Sequence, residues 1–180
     1  MEVSLKLKKI NKFQVTIDGG GSTGTSTGGK LISKKYNLNF LSSGLLYRYA
    51  SYQILKHKPN NKIKFLSKKF KKLSLKEINK TDLQKPEITQ YTSIIAKISK
   101  IRKILKNYQK IFAKKNKRCC IEGRDISTEI LPKSDIKFFF ICKLEKAARR
   151  RYYDLKKTNK KIKFNDVKKA LKLRNKLDTQ

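Results

Sequence analysis

The 180 residues contain no run approaching the ~20 apolar positions of a membrane-spanning helix. Met1 is not followed by the charged start, apolar stretch and small-residue cleavage site of a signal peptide. A membrane partner and export are therefore not expected, and the expected location is cytoplasmic. Cysteine is scarce. Cys119 beside Cys120, and Cys142 alone in an apolar run, give neither CxxC metal spacing nor a disulfide framework, so buried reduced thiols are expected. The single histidine, His57, has no cysteine or second histidine near it in sequence on which to build a metal site. There is no internal repeat and no long low-complexity block. With 38% hydrophobic residues the chain can bury one core, which excludes a disulfide-stapled mini-protein and a wholly disordered tail.

Acidic residues are also few, 13 Asp and Glu against 47 Lys and Arg, for a net charge of +34. Such a balance draws attention to nucleic acid. Only eight of the basic residues are arginine, however, and the lysines are spread through every segment rather than focused in one patch. The distribution fits a general lysine bias, and no specific nucleic-acid partner is expected from it.

The coarse pattern is one of alternating strands and helices. Phe13 to Ile17 is a short β-favouring run that ends in Asp18 and a glycine cluster, with a helical segment from about Thr27 to Tyr36 behind it. Leu38 to Leu41 reads as a second strand and Ser43 to about Leu55 as a helix. The stretch from His57 to Lys80 is Lys-rich and poorly periodic, the place expected for an insertion or mobile part. Pro86 opens a helical region through about Ala113, with Ile88, Ile94, Ile95, Ile98, Ile101, Ile104 and Leu105 at helical spacing and a break near Ser99. Arg118 to Ile121 is a third strand. Ile136 to Cys142, almost wholly apolar, is expected to be a central strand covered on both faces. A Lys/Arg-rich helix from about Leu144 to Lys157, a turn at Thr158 to Lys161 and a last helix from about Asn165 to Leu177 complete the chain. This order predicts an α/β fold, a P-loop NTPase-type parallel sheet flanked by helices.

The segment Gly19-Gly20-Gly21-Ser22-Thr23-Gly24-Thr25-Ser26-Thr27 matches G-x-x-x-x-G-K-[ST] at every defined position except the lysine, which is Thr25. Glycines let a backbone wrap a phosphate with successive N–H groups pointing inward, and a helix N-terminus adds its positive end. The Ser26 hydroxyl is the expected Mg²⁺ ligand. Lys30 lies too far along the helix to stand in for the missing lysine, about 7 Å at 1.5 Å per residue. Alone, the loop also fits a plain glycine-rich turn.

With the loop placed, IDGGGSTGTST (Ile17 to Thr27), LSSGLLYR (Leu41 to Arg48), PEITQYTSIIAKISKIRKIL (Pro86 to Leu105), IEGRDIST (Ile121 to Thr128), AARRRY (Ala147 to Tyr152) and LRNKLD (Leu173 to Asp178) together resemble the bacterial cytidylate kinases, P-loop nucleoside monophosphate kinases that act on CMP and dCMP. The S-G-x-x-Y-R and E-G-R-D-x-x-T elements in this order carry most of the resemblance. It implies ATP with Mg²⁺ and CMP or dCMP as partners, and a monomer. The loop, Gly19 to Thr27, then takes ATP. Ser43 and Arg48 fall where the family holds the CMP phosphate. Ser93, Arg102 and Asp125 fall where it reads the cytosine edge, Arg124 and Arg174 where it grips the acceptor phosphate, and Asp178 where it accepts from the sugar hydroxyl. Arg150 and Arg151 belong to the lid that brings charge to the transferring group. The implied layout is a core with the loop over 1–56, an acceptor-nucleotide-binding insert over 57–104, core again over 105–147, a lid over 148–163 and a C-terminal core helix over 164–180.

Each residue also has a plainer reading. Arg149 to Arg151 fit a solvated helix face, Ser43 an N-cap, Arg124 with Asp125 a local ion pair, and Asp178 a surface acid. Besides Thr25, the sequence departs from the family at Ala147, where an arginine is usual, and in a short 57–80 segment. The family's usual continuation, a further phosphate-binding arginine and then a strand and helix, lies beyond the position of Gln180, so the last family strand and helix are expected to be absent. A nucleotide-binding homologue without turnover, a basic RNA-binding protein, and a P-loop kinase for another acceptor such as adenylate or shikimate are the rival expectations.

Overall fold

The computed structural model describes residues 10–157 and 160–178; the side chains at positions 174 and 176–178 lie outside that description. Its first element is strand β1, Phe13–Gly19, in which all seven residues are buried. Strict alternation gives the strand two different faces. Phe13, Val15 and Ile17 pack with Leu38 and Cys120 in an apolar cluster that Ile32, Tyr36, Phe40, Ile136 and Phe140 extend. The polar residues between them are tied to the chain that follows the third strand. The Thr16 hydroxyl meets Ser134 Oγ at 3.1 Å, and the Asp18 carboxylate accepts from the backbone N–H groups of Ile126 and Ser127, each at 2.8 Å.

From β1 the chain turns through the glycine loop into helix α1, Thr25–Tyr36, and on to β2, Asn39–Ser42. Strand β3 is Arg118–Gly123, followed by one π-helical turn, Ile126–Ile130, and by β4, Ile136–Phe140. The sheet order is β2-β3-β1-β4, and β1 runs parallel to both neighbours, with Val15 opposite Cys120 on one side and Ile136 on the other. This is the α/β parallel sheet with flanking helices that the alternation of segments predicts. β4 differs from expectation. It is the end strand among the described residues, with Phe138 and Phe139 39% and 70% exposed, and Ile141 just past its end 85% exposed. An apolar run marks a strand but does not reveal how many neighbours the strand has.

The chain divides into two compact units, one of Leu41–Lys117 and one formed by the residues before and after it. In the second part of the latter unit, helices α7, Leu144–Lys156, and α8, Phe164–Asp178, pack through Ala147, Ala148 and Leu171. Ala147 is almost wholly buried there, so a small side chain is what this packing admits. Burial pushes the Cys119 and Cys120 thiols up, to about 12 and about 11, so both are held as unreactive thiols in the sheet.

The Leu41–Lys117 unit is helical. α2 is Ser43–His57, α3 Lys62–Lys71, α4 Leu75–Lys80, α5 Pro86–Ile95 and α6 Ser99–Lys115. Over His57 to Lys80, where the sequence suggests little order, there are two helices with side-chain caps: Asn61 accepts from Lys64 N at 2.9 Å and Ser74 from Glu77 N at 3.4 Å. Helix α3 has only Leu66 and Phe70 buried, too few apolar positions for a clear period beneath so many lysines. The break expected near Ser99 is present, between Ile95 and Ser99. At the centre of this unit the buried Tyr49 packs edge-on against Phe70, 6.0 Å between centroids, and donates its hydroxyl to Glu77, which Lys69 also reaches at 2.6 Å. Among the described residues no helix is long and apolar enough to cross a membrane.

Two outcomes follow from these contacts. Asp18→Ala leaves two backbone N–H groups of the π turn without their acceptor and lowers unfolding stability by about 2–4 kcal/mol in urea titration. The contacts from Lys69 and Tyr49 hold the Glu77 carboxyl below its ordinary range. Its stabilising effect is therefore present above the unfolded carboxylate pKa and is lost as pH falls through the lower folded value. Stability measured from neutral to acid pH falls through that window in the natural chain, and falls less in Glu77→Gln.

Candidate active site

The glycine loop sits where β1 ends at the middle of the sheet. Ser22 has φ 62° and Gly24 φ 101°, the latter immediately before the first residue of α1. The left-handed backbone at Gly24 turns the chain sharply from strand to helix, a conformation that favours glycine. Thr23 Oγ1 donates to Gly20 O at 2.9 Å and closes the loop on itself. Among the described residues no side chain caps α1, so the first N–H groups of the helix are left for another acceptor. An anion placed there meets the positive end of the helix.

Two guanidinium groups lie against this loop. A Cβ placed on Gly24 would be 3.7 Å from Arg150 Nη1, and one placed on Gly21 would be 3.3 Å from Arg124 Nη2 and 2.9 Å from Leu171 Cδ1. Asn175 of α8 approaches Gly20 in the same way, at 3.1 Å from such a Cβ. The loop is thus lined by α7, α8 and the end of β3, and side chains at positions 20 and 21 would fill space that these neighbours occupy. Thr25 is buried at the first turn of α1, and Lys30 is exposed further along the helix. Arg151, next to Arg150, is half-buried. Desolvation pulls its guanidinium below the ordinary value while Asp154 opposes the shift, and the group stays charged at neutral pH.

Ser26 Oγ donates to Glu122 Oε1 at 2.9 Å. Glu122 is 5% exposed at the carboxyl end of β3, the strand beside β1. A hydroxyl at the head of the helix paired with a carboxylate at the end of the adjacent strand is an all-oxygen donor pair of the kind that suits a small, hard cation such as Mg²⁺. The sequence contains this acid within E-G-R-D, but its role depends on which strand lies next to β1, a fact of sheet order. Asp18 was likewise legible only as the end of a strand; its two bonds to the π turn fix the backbone immediately after Arg124 and Asp125. Asp125 itself is half-buried at the start of that turn, and its carbonyl accepts from Glu129 N at 2.9 Å.

Four further candidates, Ser43, Arg48, Ser93 and Arg102, belong to the helical unit. Ser43 is buried at the start of α2, where the cap is made by Ser42, whose side chain accepts from Leu45 N at 3.3 Å. Ser43 is therefore not the capping residue; its Oγ accepts from Gln109 Nε2 at 3.0 Å. Arg48, one turn further along α2, donates to Gln84 Oε1 at 2.6 Å. Ser93 is exposed on α5 and donates to Gln90 O at 2.6 Å, and Arg102 is exposed on the first turn of α6. The side chains of Arg174 and Asp178 lie outside the described residues. Arg149, beside the candidate pair in α7, has local partners: Glu145 at 3.5 Å and the Phe164 ring at 5.9 Å.

Known proteins match this sequence over nearly its whole length. A family model described as cytidylate kinase matches residues 15–180. Cytidylate kinase of Fusobacterium nucleatum is 31% identical over 181 residues, covering 94% of this chain and 83% of that one. The enzyme of the same name from Aquifex aeolicus is 31% identical, covering 93% and 81%, and that of Rickettsia akari is 30% identical, covering 99% and 82%. The chain belongs to the cytidylate kinase family.

Proposed function

We propose that this protein transfers the γ-phosphoryl group of ATP to CMP or dCMP, giving CDP or dCDP. The observation that carries the reading is the β1 turn itself: a glycine loop with left-handed backbone at Gly24, opening an uncapped helix, with the Arg124 and Arg150 guanidinium groups against it. Such a site suits a polyphosphate chain and has little else to offer a ligand.

The chemistry asks mainly for positioning and charge. An oxygen of the acceptor phosphate forms a bond to the γ-phosphorus as the bond to the β,γ-bridging oxygen breaks, and ADP leaves. The backbone of Gly19 to Gly24 and the first N–H groups of α1 hold the donor phosphates. Ser26 and Glu122 would hold Mg²⁺, which supplies charge neutralisation at the phosphates when bound. Ser43, Arg48, Arg124 and Arg174 are assigned to the acceptor phosphate, Ser93, Arg102 and Asp125 to the base, and Asp178 to the sugar. Arg150 and Arg151 serve the transferring group, with 148–163 acting as lid and 57–104 as the acceptor-binding segment. The protein is proposed to work as a cytoplasmic monomer.

Thr25 leaves the loop without the cation that its motif usually carries. Arg150 Nη1 lies 3.7 Å from where a Cβ on Gly24 would stand, beside the start of α1, so it takes a larger share of stabilising the transferred group here. In a coupled assay with CMP and ATP the natural chain is expected to turn over, and Thr25→Lys to raise kcat by about 10- to 100-fold. Turnover by the substituted chain alone would mean that the natural protein binds nucleotide without acting on it. Glu122→Gln is expected to raise the Mg²⁺ concentration for half-maximal rate by roughly tenfold while CMP affinity in the absence of Mg²⁺ is unchanged.

A further inference from the structure

Helix α6 buries Ile101, Leu105, Gln109, Phe112 and Ala113, a stripe at helical spacing that is apolar except at one position. Gln109 is 2% exposed. Its Nε2 donates to Ser43 Oγ at 3.0 Å, while its Oε1 is buried with no hydrogen-bond partner among the described residues. A leucine or methionine would fill the same stripe without burying an unmatched carbonyl. The amide therefore stays at this position against its own desolvation, and among the described residues the one bond it makes is to Ser43.

That bond has a direction. A hydroxyl carries one hydrogen and two lone pairs, and an N–H directed at the oxygen occupies a lone pair and leaves the hydroxyl hydrogen to be given elsewhere. Ser43 does not serve as the helix cap, since Ser42 does. Gln109 holds the Ser43 side chain in place by occupying one of its two lone pairs, which leaves the hydroxyl hydrogen directed away from the amide. That hydrogen makes Ser43 a donor towards a ligand, the polarity that a phosphate oxygen needs. We infer that Gln109 is a positioning residue for the acceptor site, setting Ser43 as a hydrogen-bond donor to the acceptor's phosphate. The inference rests on the reading of Ser43 as a phosphate contact and goes beyond it by naming the buried amide that gives the contact its direction.

A general packing role and this directed role make different demands on ligands. CMP and cytidine differ only in the phosphate, so a change acting through Ser43 weakens CMP and spares cytidine, whereas a disturbed helix packing weakens both. The experiment is calorimetric binding of CMP, with cytidine as the second ligand, to the full chain and to Ser43→Ala, Gln109→Met, Gln109→Glu and the double variant Ser43→Ala/Gln109→Met. Gln109→Met keeps the volume and the apolar stripe. Gln109→Glu keeps the shape but offers a carboxylate, which accepts a hydrogen bond from the Ser43 hydroxyl and so reverses the bond. Thermal melting reports whether each variant is folded. The expected result is a roughly tenfold loss of CMP affinity in Ser43→Ala and a loss of about 5- to 10-fold in Gln109→Met. Gln109→Glu should lose at least as much, cytidine affinity should stay within twofold throughout, and the double variant should be no weaker than Ser43→Ala alone. Multiplicative losses in the double variant, equal losses for CMP and cytidine, or CMP affinity within twofold in Gln109→Met would overturn the positioning role while leaving Ser43 as a contact. No loss in Ser43→Ala would remove that contact and this inference with it. Should Gln109→Met melt before it can be titrated, the comparison of Gln109→Glu with Ser43→Ala decides in the same way.

Discussion

The candidate site depends on one constraint, that a fully buried strand at the middle of a parallel sheet must leave its carboxyl end and become a helix within a few residues. β1 has both faces covered, so its end is fixed by neighbours on either side, by Arg118–Gly123 and by Ile136–Phe140. The turn then needs a residue that tolerates φ 101°, which Gly24 supplies, and a helix start with no competing side-chain cap. Everything that bears charge near the loop is placed relative to that turn. Arg124 arrives from the end of the adjacent strand, Glu122 from the same strand two residues earlier, and Arg150 from a helix that packs on α8 through small residues. Asp18 links the arrangement to the sheet, because the strand that supports the loop also binds the backbone after Arg124 and Asp125.

Much of this was legible in the sequence, for identifiable reasons. β1, α1, β2, α2 and β3 announce themselves through alternation or helical spacing, and their bounds lie within about two residues of those expected. The glycine loop needs only its spacing and its place between a strand and a helix. What the sequence did not reveal has two causes: relations between distant segments, and, over 57–80, a local signal too weak to read. IKFFFIC reads as a covered strand, yet its covering depends on which strands lie beside it. The lysine-rich 57–80 segment reads as irregular because its helices bury two residues in one case and one in the other, and their caps, Asn61 and Ser74, are single polar residues among many. The bonds Ser26 to Glu122 and Gln109 to Ser43 join positions 96 and 66 residues apart, so no local pattern contains either.

The large positive charge also divides once the structure is known. Two of the eight arginines are occupied in holding the fold. Arg118 donates to the Tyr36 carbonyl at 2.5 Å and lies 5.9 Å over the Phe13 ring, and Arg149 pairs with Glu145 on its own helix. The other six are the ones that the resemblance assigns to nucleotide or phosphate. Lysines in contrast sit largely at exposed positions of nearly every helix, where a charge costs little and screens readily. The net charge thus largely reflects surface composition, and the Arg124 and Arg150 guanidinium groups beside the glycine loop are the part of it whose planar forks suit phosphate oxygens.

Two of the departures from the family pattern, Thr25 and Ala147, stand where the resemblance leads one to expect positively charged side chains, and they are accommodated differently. Ala147 sits in the contact between α7 and α8, where a long charged side chain would have to displace Ala148 and Leu171 or leave the interface. Its small size lets the two helices meet closely, and the same helix pair brings Arg150 towards Gly24 and Leu171 and Asn175 towards Gly21 and Gly20. Thr25 is buried at the head of α1, and its methyl lies close to the backbone of Gly19, a Cβ there being 2.9 Å away. A short side chain at 25 therefore leaves the loop tightly closed, with charge approaching from α7 and from the end of β3 instead of from the first turn of α1. The close packing that Ala147 permits therefore sets where Arg150 stands against Gly24, so the charge beside the loop depends on how α7 is held.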